Sequence, residues 1–206
     1  IHHWWKEEHI PDEVLRATIA LIYKKGDSSK CENYRPISLL NAMYKVYASI
    51  LQKRIAKGTE KYLQNTQFGF RKDRSTADAI QLIRRVAEFG EKTERKIILL
   101  LLDWEKAFDK LTHKALFIAM EKMNIDPKLI RLVKMIYKNP DFMTEEGGNK
   151  SEWKKQKSGI RQGCPLSPYL FLIIMTVIFH DIHENEALEE ELKESRIIGT
   201  LFDELL

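Results

Sequence analysis

The chain has 206 residues, of which 44% are hydrophobic, and its 34 Lys and Arg against 30 Asp and Glu give a formal net charge of +4. This length and composition predict a sizeable core, in one large domain or two small ones. A transmembrane helix is not expected, because no run of about 18 apolar residues occurs. The two cysteines argue against a disulfide framework and a cysteine-rich zinc site, and they suit a reducing compartment.

Charge is distributed unevenly along the chain. Residues 16–75 hold 13 Lys and Arg and four Asp and Glu, a net charge of +9, whereas residues 181–206 hold two basic and nine acidic residues, a net charge of −7. A basic front half fits a phosphate-rich partner, although a solvated basic face gives the same pattern. The first residues lack the features of a signal peptide and an initiator Met, so the chain is expected to begin inside a longer protein.

The first predicted element is a hairpin with a basic tip. Residues 17–23 are predicted to form a strand, and the KKGDSSK sequence of residues 24–30 supplies turn residues flanked by lysines. Pro36 keeps Arg35 extended, which holds its guanidinium on stiff backbone where it can bind phosphate oxygens in a bidentate way. The alternative is an exposed hairpin whose lysines serve solubility.

A helix with one buried face and a basic loop come next. Apolar side chains recur at helical spacing over residues 42–55, which predicts that this face belongs to the core. The loop of residues 64–74, QNTQFGFRKDR, interleaves aromatic and basic side chains, a combination that stacks bases and contacts phosphates. Phe68 and Phe70 can equally anchor the loop in the core, and this alternative stays open.

Capping and turn residues predict most of the remaining elements. Three of these elements are helices: one opened by the capping box of Ser75 and Asp78, one carrying Leu116, Ala119, Met120 and Met123, and one from residue 127. They are followed by a hairpin turn at residues 147–149, a helix over residues 168–183 and a strand over residues 197–201.

Residues 97–111, IILLLLDWEKAFDKL, are the most informative stretch. Six unbroken apolar residues, 97–102, predict a strand buried on both faces. The acid that ends this strand, Asp103, then needs a metal ion or a basic partner, because burying a free carboxylate costs several kcal/mol or shifts its pKa. An Asp after a strand is also a common cap or turn residue, and this stretch alone does not decide between the two.

A second marker stretch, GIRQGCPLSP, occupies residues 159–168. Ser167 and Pro168 are a plausible N-cap and first-turn proline of a helix that is apolar nearly all round and is therefore predicted to be buried. A loop at the head of a rigid buried helix is a good functional candidate. His180 and His183 lie three residues apart on that helix, but two ligands do not make a zinc site.

Together these stretches resemble the reverse transcriptase domain of non-LTR (LINE-type) retrotransposons and, more distantly, group II intron reverse transcriptases. The resemblance covers about residues 10–206, and it implies an α+β right-hand polymerase fold with fingers over residues 1–95, an incomplete palm over residues 96–206 and no thumb. The stretches that carry it, in the order of the family, are KKGD (24–27) with NYRPIS (33–38), QFGFR (67–71) with RST (74–76), residues 103–109 and residues 159–168.

The same resemblance implies roles for individual residues. Asp103 is implied to be a catalytic carboxylate that binds both divalent metals, and Phe108 a steric gate against the ribose 2′-hydroxyl. Asp109 matches the family pattern and is expected to be structural, as a cap for the following helix. The residues implied to contact the nucleotide are Lys24, Lys25, Arg35, Phe108, Gln162 and Gly163, and those implied to contact nucleic acid are Phe70, Arg71, Arg74 and Arg161.

The implied cofactor is Mg²⁺, as two ions, or Mn²⁺. The implied partners are an RNA template, a DNA primer and dNTP, with no membrane, in the cytoplasm and nucleus of a eukaryotic host. A two-metal site needs more than one carboxylate, and the family supplies the others from an aromatic-Ala-Asp-Asp hairpin that does not occur here. Phe202-Asp203-Glu204 lies just before its expected place, so the chain is expected to be a fragment that ends short of its catalytic centre.

Three functional hypotheses follow. The first is RNA-directed DNA polymerase activity, with two-metal nucleotidyl transfer in the intact parent protein. The second is a catalytically inactive, nucleic-acid-binding remnant of a retroelement. The third is an RNA-templated RNA polymerase, against which Phe108 argues, because a bulky gate disfavours ribonucleotides.

Overall fold

The computed structural model describes residues 1–138 and 140–183. The α-helices in these ranges are α1 (His2–Glu7), α2 (Asp12–Leu15), α3 (Ala42–Thr59), α4 (Thr76–Thr93), α5 (Ala107–Lys110), α6 (His113–Lys122), α7 (Pro127–Lys138) and α8 (Ser167–His183). The strands are β1 (Ala17–Tyr23), β2 (Tyr34–Leu40), β3 (Asp141–Glu146), β4 (Asn149–Lys150) and β5 (Lys154–Lys155).

The strands form one mixed sheet in the order β2-β1-β3-β4, with β5 paired to β3. The predicted first hairpin is confirmed, since β1 and β2 pair antiparallel over their full lengths. The predicted turn near residue 147 is also confirmed. Gly147 and Gly148 connect β3 to β4 with φ angles of +56° and +83°, and a two-residue loop with both φ angles positive matches the twist of the flanking strands.

The chain divides into two compact units. The first comprises residues Ile1–Lys61 and Lys106–Ile174, and the second comprises, among the described residues, 62–105 and 175–183. This division does not coincide with the expected boundary between fingers and palm at residues 95 and 96, so that assignment stays a prediction.

The first unit has a helical core that follows the predicted periodicity. The apolar face of α3 is buried as expected, with Tyr44, Tyr47, Ala48, Leu51 and Ile55 each at most 1% exposed. The predicted apolar positions of α6 are buried too, as are most apolar side chains of α7. The head of α8 completes this core, because its residues 169–174 are all buried. These helices fix the loop that precedes α8.

The predicted capping box opens α4 in the second unit. The Ser75 hydroxyl oxygen accepts a hydrogen bond from the Asp78 amide at 3.4 Å, and the Asp78 carboxylate accepts one from the Ser75 amide at 2.8 Å. Hydrogen bonds from Ser75 lower the pKa of the Asp78 carboxyl. The helix ends at Thr93, three residues later than the sequence predicted.

We expect Ser75→Ala to lower the free energy of unfolding by about 1 kcal/mol, because it leaves an orphan amide at the first turn of α4. Chemical denaturation of the purified chain measures the change. Ser49→Ala is the matched control: the Ser49 hydroxyl only donates back to the Lys45 carbonyl inside α3, so its loss should cost less than about 0.5 kcal/mol. Equal effects of the two substitutions would contradict the cap.

The prediction of a buried strand over residues 97–102 is wrong. These residues form no regular secondary structure, and their side chains are exposed, with Ile98, Leu100 and Leu102 at 81%, 76% and 74%. A strand needs a neighbour to receive its backbone hydrogen bonds. None of the strands in the described part of the chain pairs with this segment, and an apolar sequence cannot supply that neighbour by itself.

Some sequence predictions fall outside the described residues. They are the strand over residues 197–201 and the Phe202-Asp203-Glu204 tripeptide. Among the helices that the structure describes, none combines the length and the apolar character needed to cross a membrane.

Candidate nucleotide and nucleic-acid site

The loop that precedes α8 is joined to strand β2 in the first unit. The Ser38 amide donates a hydrogen bond of 2.8 Å to the Gln162 carbonyl. The next residue, Gly163, has φ +97°, and a Cβ atom built on it would lie 2.9 Å from the Ser38 carbonyl oxygen. Only glycine allows this approach, so two predicted nucleotide-contacting residues, Gln162 and Gly163, are held beside the strand that carries a third, Arg35.

The other end of the same loop is joined to α5. The Gly159 amide donates to the Leu111 carbonyl at 2.7 Å, and the Ile160 amide donates to the Phe108 carbonyl at 2.8 Å. A His113 ring nitrogen is hydrogen-bonded to the Gly159 carbonyl at 2.8 Å. The structure therefore brings together Phe108, Gln162, Gly163 and the strand of Arg35, which lie up to about 130 residues apart in the sequence.

Asp109 interacts with the loop before α8, a contact that the sequence did not predict. Its carboxyl accepts a hydrogen bond from the Gln162 side chain. Desolvation raises the pKa of this carboxyl, while the charge of Lys106 and the hydrogen bond from Gln162 act in the opposite direction. The helix that follows is capped by the Thr112 hydroxyl, which accepts from the Ala115 amide, so the expected capping role of Asp109 is wrong. Spacing alone gives no signal for a contact between residues 53 positions apart.

Phe108 lies on α5 with its side chain partly exposed. Its ring packs at a tilt against the buried ring of Phe171 on α8, with 5.4 Å between the ring centroids. Contact with a buried helix limits the positions that the ring can take. A bulky group of fixed position is what a steric gate requires.

Lys24 and Lys25 are exposed at the tip of the β1–β2 hairpin. The tip is held by its own polar groups: the side-chain amide of Asn33 donates to the Asp27 carbonyl at 2.7 Å, and the Tyr34 hydroxyl donates to the Ser28 carbonyl at 2.8 Å. The lysines are thus presented by an ordered turn. Arg35 is partly buried in β2, where it pairs with Ile22 near the same tip.

The loop of residues 64–74 belongs to the second unit. Phe68 is only 8% exposed, which supports the anchoring alternative for that ring, and the Arg74 guanidinium lies 5.8 Å from its centroid. Arg71 donates to the Gln64 and Gln67 carbonyls at 2.7 and 3.3 Å. Phe70 is partly exposed and has φ +56°. The loop is therefore ordered by the residues predicted to contact nucleic acid, which leaves Arg74 as its exposed predicted contact.

Asp103 is exposed and follows the unpaired segment in the second unit. The prediction that it needs a partner because it is buried therefore does not hold. A carboxylate oxygen is the donor that Mg²⁺ prefers. Within residues 1–138 and 140–183, however, no group of three or more His, Cys, Asp or Glu side chains is placed to hold a metal ion. The carboxylate of Asp103 is a suitable ligand for a divalent metal ion, but the described residues do not supply enough ligands to complete a site.

Arg161 is buried rather than directed at the surface. It is 3% exposed, and its guanidinium carbon lies 5.7 Å from the centroid of the Tyr44 ring. Among the described residues, Nε, Nη1 and Nη2 have no hydrogen-bond partner. A direct contact with nucleic acid is not available to Arg161 in this conformation.

The chain is similar in sequence to proteins of transposable elements. An uncharacterized 149 kDa protein of transposon TX1 from Xenopus laevis is 29% identical over 167 residues, which are 81% of this chain and 13% of that protein. A Pol polyprotein of a type-1 retrotransposable element R2 from Popillia japonica is 24% identical over 96% of this chain and 28% of its own length. The chain thus spans a small part of these relatives.

The fold is shared with a solved polymerase structure. Apo telomerase from Candida tropicalis, truncated from its C-terminal domain, superimposes with a TM-score of 0.52 at 15% identity, over 89% of this chain and 44% of that one. This likeness confirms the expected α+β polymerase fold. A sequence profile described as "Reverse transcriptase (RNA-dependent DNA polymerase)" matches residues 22–199. The chain therefore belongs to the reverse transcriptase family, and the two relatives described above are proteins of transposable elements.

Proposed function

We propose that the protein containing this chain is an RNA-directed DNA polymerase that extends a primer 3′-hydroxyl with dNTP on an RNA template. The observation that carries this proposal is family membership over residues 22–199. The hydrogen bonds that join β2, α5 and the loop before α8 also support it. Such a joined set of elements can position a nucleotide, and positioning is a large part of catalysis in phosphoryl transfer. A nuclear and cytoplasmic location, as expected for such an element, is part of the proposal.

In this proposal the first unit binds the incoming nucleotide. Lys24 or Lys25, with Arg35, neutralises the triphosphate, since basic groups are needed where negative charge develops. Gln162 and Gly163 line the pocket, and the hydrogen bond to Asp109 fixes the orientation of the Gln162 amide. Phe108 excludes the ribose 2′-hydroxyl.

The second unit contributes the proposed contacts to template and primer. Arg74 is exposed on the loop of residues 64–74, and Phe70 is partly exposed beside it. A basic side chain near an aromatic ring suits a nucleic-acid strand, because phosphates and stacked bases are contacted at once. Arg71 serves this role indirectly, by bracing the loop through its bonds to backbone carbonyls.

A divalent cation, Mg²⁺ or Mn²⁺, completes the proposal. Two such ions would steady the attacking and leaving oxygens of the transferred phosphate. Asp103 is the proposed ligand of both. The described residues do not complete this site.

Primer extension tests the proposed function. The full-length protein is incubated with an RNA template, an annealed DNA primer, Mg²⁺ and either dNTPs or rNTPs. RNA-templated extension with dNTPs is expected, with little product from rNTPs. Extension with rNTPs alone would refute the proposal in favour of an RNA polymerase.

A second candidate is nucleic-acid binding without synthesis. It is favoured by the lack, within the described ranges, of three clustered metal-binding side chains. It predicts RNA affinity that falls steeply with salt, because the bound phosphates release counterions. Primer extension distinguishes the two candidates: binding without any product supports the second.

We expect Phe108→Ala in the full-length protein to reduce discrimination against rNTP by roughly 10-fold to 100-fold, because a removed side chain opens space beside the ribose. The ratio of kcat/KM for dTTP and rUTP measures the change. Phe117→Ala is the matched control, since Phe117 is a partly exposed ring on α6 whose cation partner is Lys134. Unchanged rNTP rejection in Phe108→Ala would remove Phe108 from this role.

A further inference from the structure

The buried Arg161 guanidinium has no anion to balance its charge in the described structure. Arginine stays protonated in proteins, and three guanidinium nitrogens lie buried without an acceptor among the described residues. The group rests over the Tyr44 ring, but an aromatic face compensates only part of the hydration that the charge has lost. This conformation of Arg161 therefore lowers the stability of the free protein.

The neighbours of Arg161 do not provide the missing charge. Burial raises the pKa of the phenol groups of Tyr44 and Tyr137, although the charge of Arg161 acts to lower both. Both hydroxyls therefore stay protonated and neutral at physiological pH. The Tyr44 hydroxyl is 3.3 Å from Cys164 Sγ, and the Tyr137 hydroxyl lies 3.4 Å from the Ser167 hydroxyl. The packed surroundings from α3, α7 and the head of α8 are thus neutral.

The backbone on both sides of Arg161 is held by hydrogen bonds to other elements of the first unit. These are the bond from the Ile160 amide to Phe108 and the bond from the Ser38 amide to the Gln162 carbonyl. Gln162 is partly exposed and Gly163 is exposed, so Arg161 lies one residue from solvent. A movement of the guanidinium toward Gln162 and Gly163 would need only rotation about the bonds of the Arg161 side chain.

We propose that Arg161 is a latent phosphate-binding residue, stored over Tyr44 in the free protein and drawn out to pair with a phosphate group bound beside the Gln162–Gly163 loop. This inference rests on the proposed function and extends it to a residue that changes place on binding. A guanidinium suits a phosphate because its planar fork donates two parallel hydrogen bonds. An energetically poor free state that persists in a well-packed loop is typical of a group used in another state.

The test uses Arg161→Met and Arg161→Lys in the full-length protein. Arg161→Met should raise the Tm by several degrees, because a buried unpaired charge becomes an apolar side chain. The same substitution should weaken phosphate binding about tenfold and reduce the slope of log Kd against log salt by about one. Arg161→Lys should keep the salt slope but recover only part of the affinity, because an ammonium lacks the fork.

Two ligands distinguish the sources of the phosphate. An RNA–DNA primer–template duplex reports phosphodiester binding, and dTTP reports triphosphate binding. A loss of affinity confined to one ligand identifies the source, and either result supports the inference. Arg131→Met is the matched control, because Arg131 is a surface arginine paired with Glu8 at 2.8 Å, and it should leave both affinities unchanged.

Three results would overturn the inference. Unchanged affinity in Arg161→Met, with a raised Tm, would make Arg161 a core residue only. A lowered Tm or loss of folding in that variant would mean that a carboxylate of the chain already pairs with the guanidinium. A wild-type full-length protein that binds neither ligand would refute the proposed function, and the inference with it. Binding by the wild type together with unaltered binding by Arg161→Met would refute the inference alone.

Discussion

Asp103→Asn in the full-length protein is expected to abolish RNA-templated primer extension, with a loss of roughly 10³-fold or more in kcat/KM. Removal of one preorganised group that stabilises transition-state charge already costs about 10²-fold to 10³-fold. Asparagine keeps the shape of the side chain but lacks the negative charge that binds a divalent cation. Because Asp103 is exposed in the structure, the substitution should leave the free energy of unfolding nearly unchanged.

Asp73→Asn is the matched control for that substitution. Asp73 is an equally exposed acid of the second unit, paired only loosely with Lys72 at 4.0 Å, and such surface pairs contribute little. Its φ of +58° is one that asparagine adopts readily. Near-normal extension by Asp103→Asn would exclude Asp103 from catalysis, and an equal loss in Asp73→Asn would show that the assay responds to charge in general.

Local signals predicted most of the helices and turns. The capping box at Ser75, the helical spacing of α3 and the paired glycines at residues 147–148 each depend on residues within one or two turns of each other. The structure agrees with all three. Each of these three features contributes little free energy to folding, but the local sequence is enough to predict it.

The segment of residues 97–102 shows the limit of such signals. Its composition is that of a buried strand, yet burial and pairing depend on what the rest of the chain places beside it. The described strands pair with one another instead. The physical reason that the sequence offers for a role of Asp103 is burial at a strand end. Asp103 is exposed, so its proposed role depends on the family pattern alone.

The candidate site was predicted as separate parts and not as an assembly. Gln162 and Phe108 were both singled out in the sequence, but nothing local reveals that Asp109 accepts a hydrogen bond from Gln162. The burial of Arg161 is likewise a property of the packed helices α3 and α7. Contacts across such sequence distances are set by tertiary packing, which a single sequence does not disclose.

Gly159→Ala tests whether the joining of the loop to α5 matters. Gly159 has φ +80°, and a Cβ atom there would lie 2.9 Å from the Phe108 carbonyl oxygen and 3.0 Å from the Asp109 Cα atom and carbonyl oxygen. These atoms are backbone and cannot rotate away. We expect the free energy of unfolding to fall by about 2–3 kcal/mol, from the strained φ and the forced separation. Because the Phe108 gate moves with this backbone, kcat/KM for dNTP should fall about 100-fold in the full-length protein.

Gly58→Ala is the control that separates this effect from the loss of a glycine in general. Gly58 lies in α3, and no atom comes within 4 Å of a Cβ atom built on it. Alanine favours a helix over glycine, so Gly58→Ala should raise the free energy of unfolding by about 0.5–1 kcal/mol and leave activity unchanged. Chemical denaturation of both variants measures the two changes in the free energy of unfolding, which should have opposite signs. Steady-state kinetics measures kcat/KM, which should fall only in Gly159→Ala. If Gly159→Ala were as stable and active as Gly58→Ala, the close contact between the loop and α5 would not exist in solution, and the nucleotide pocket proposed around Gln162 and Phe108 would lose its physical basis.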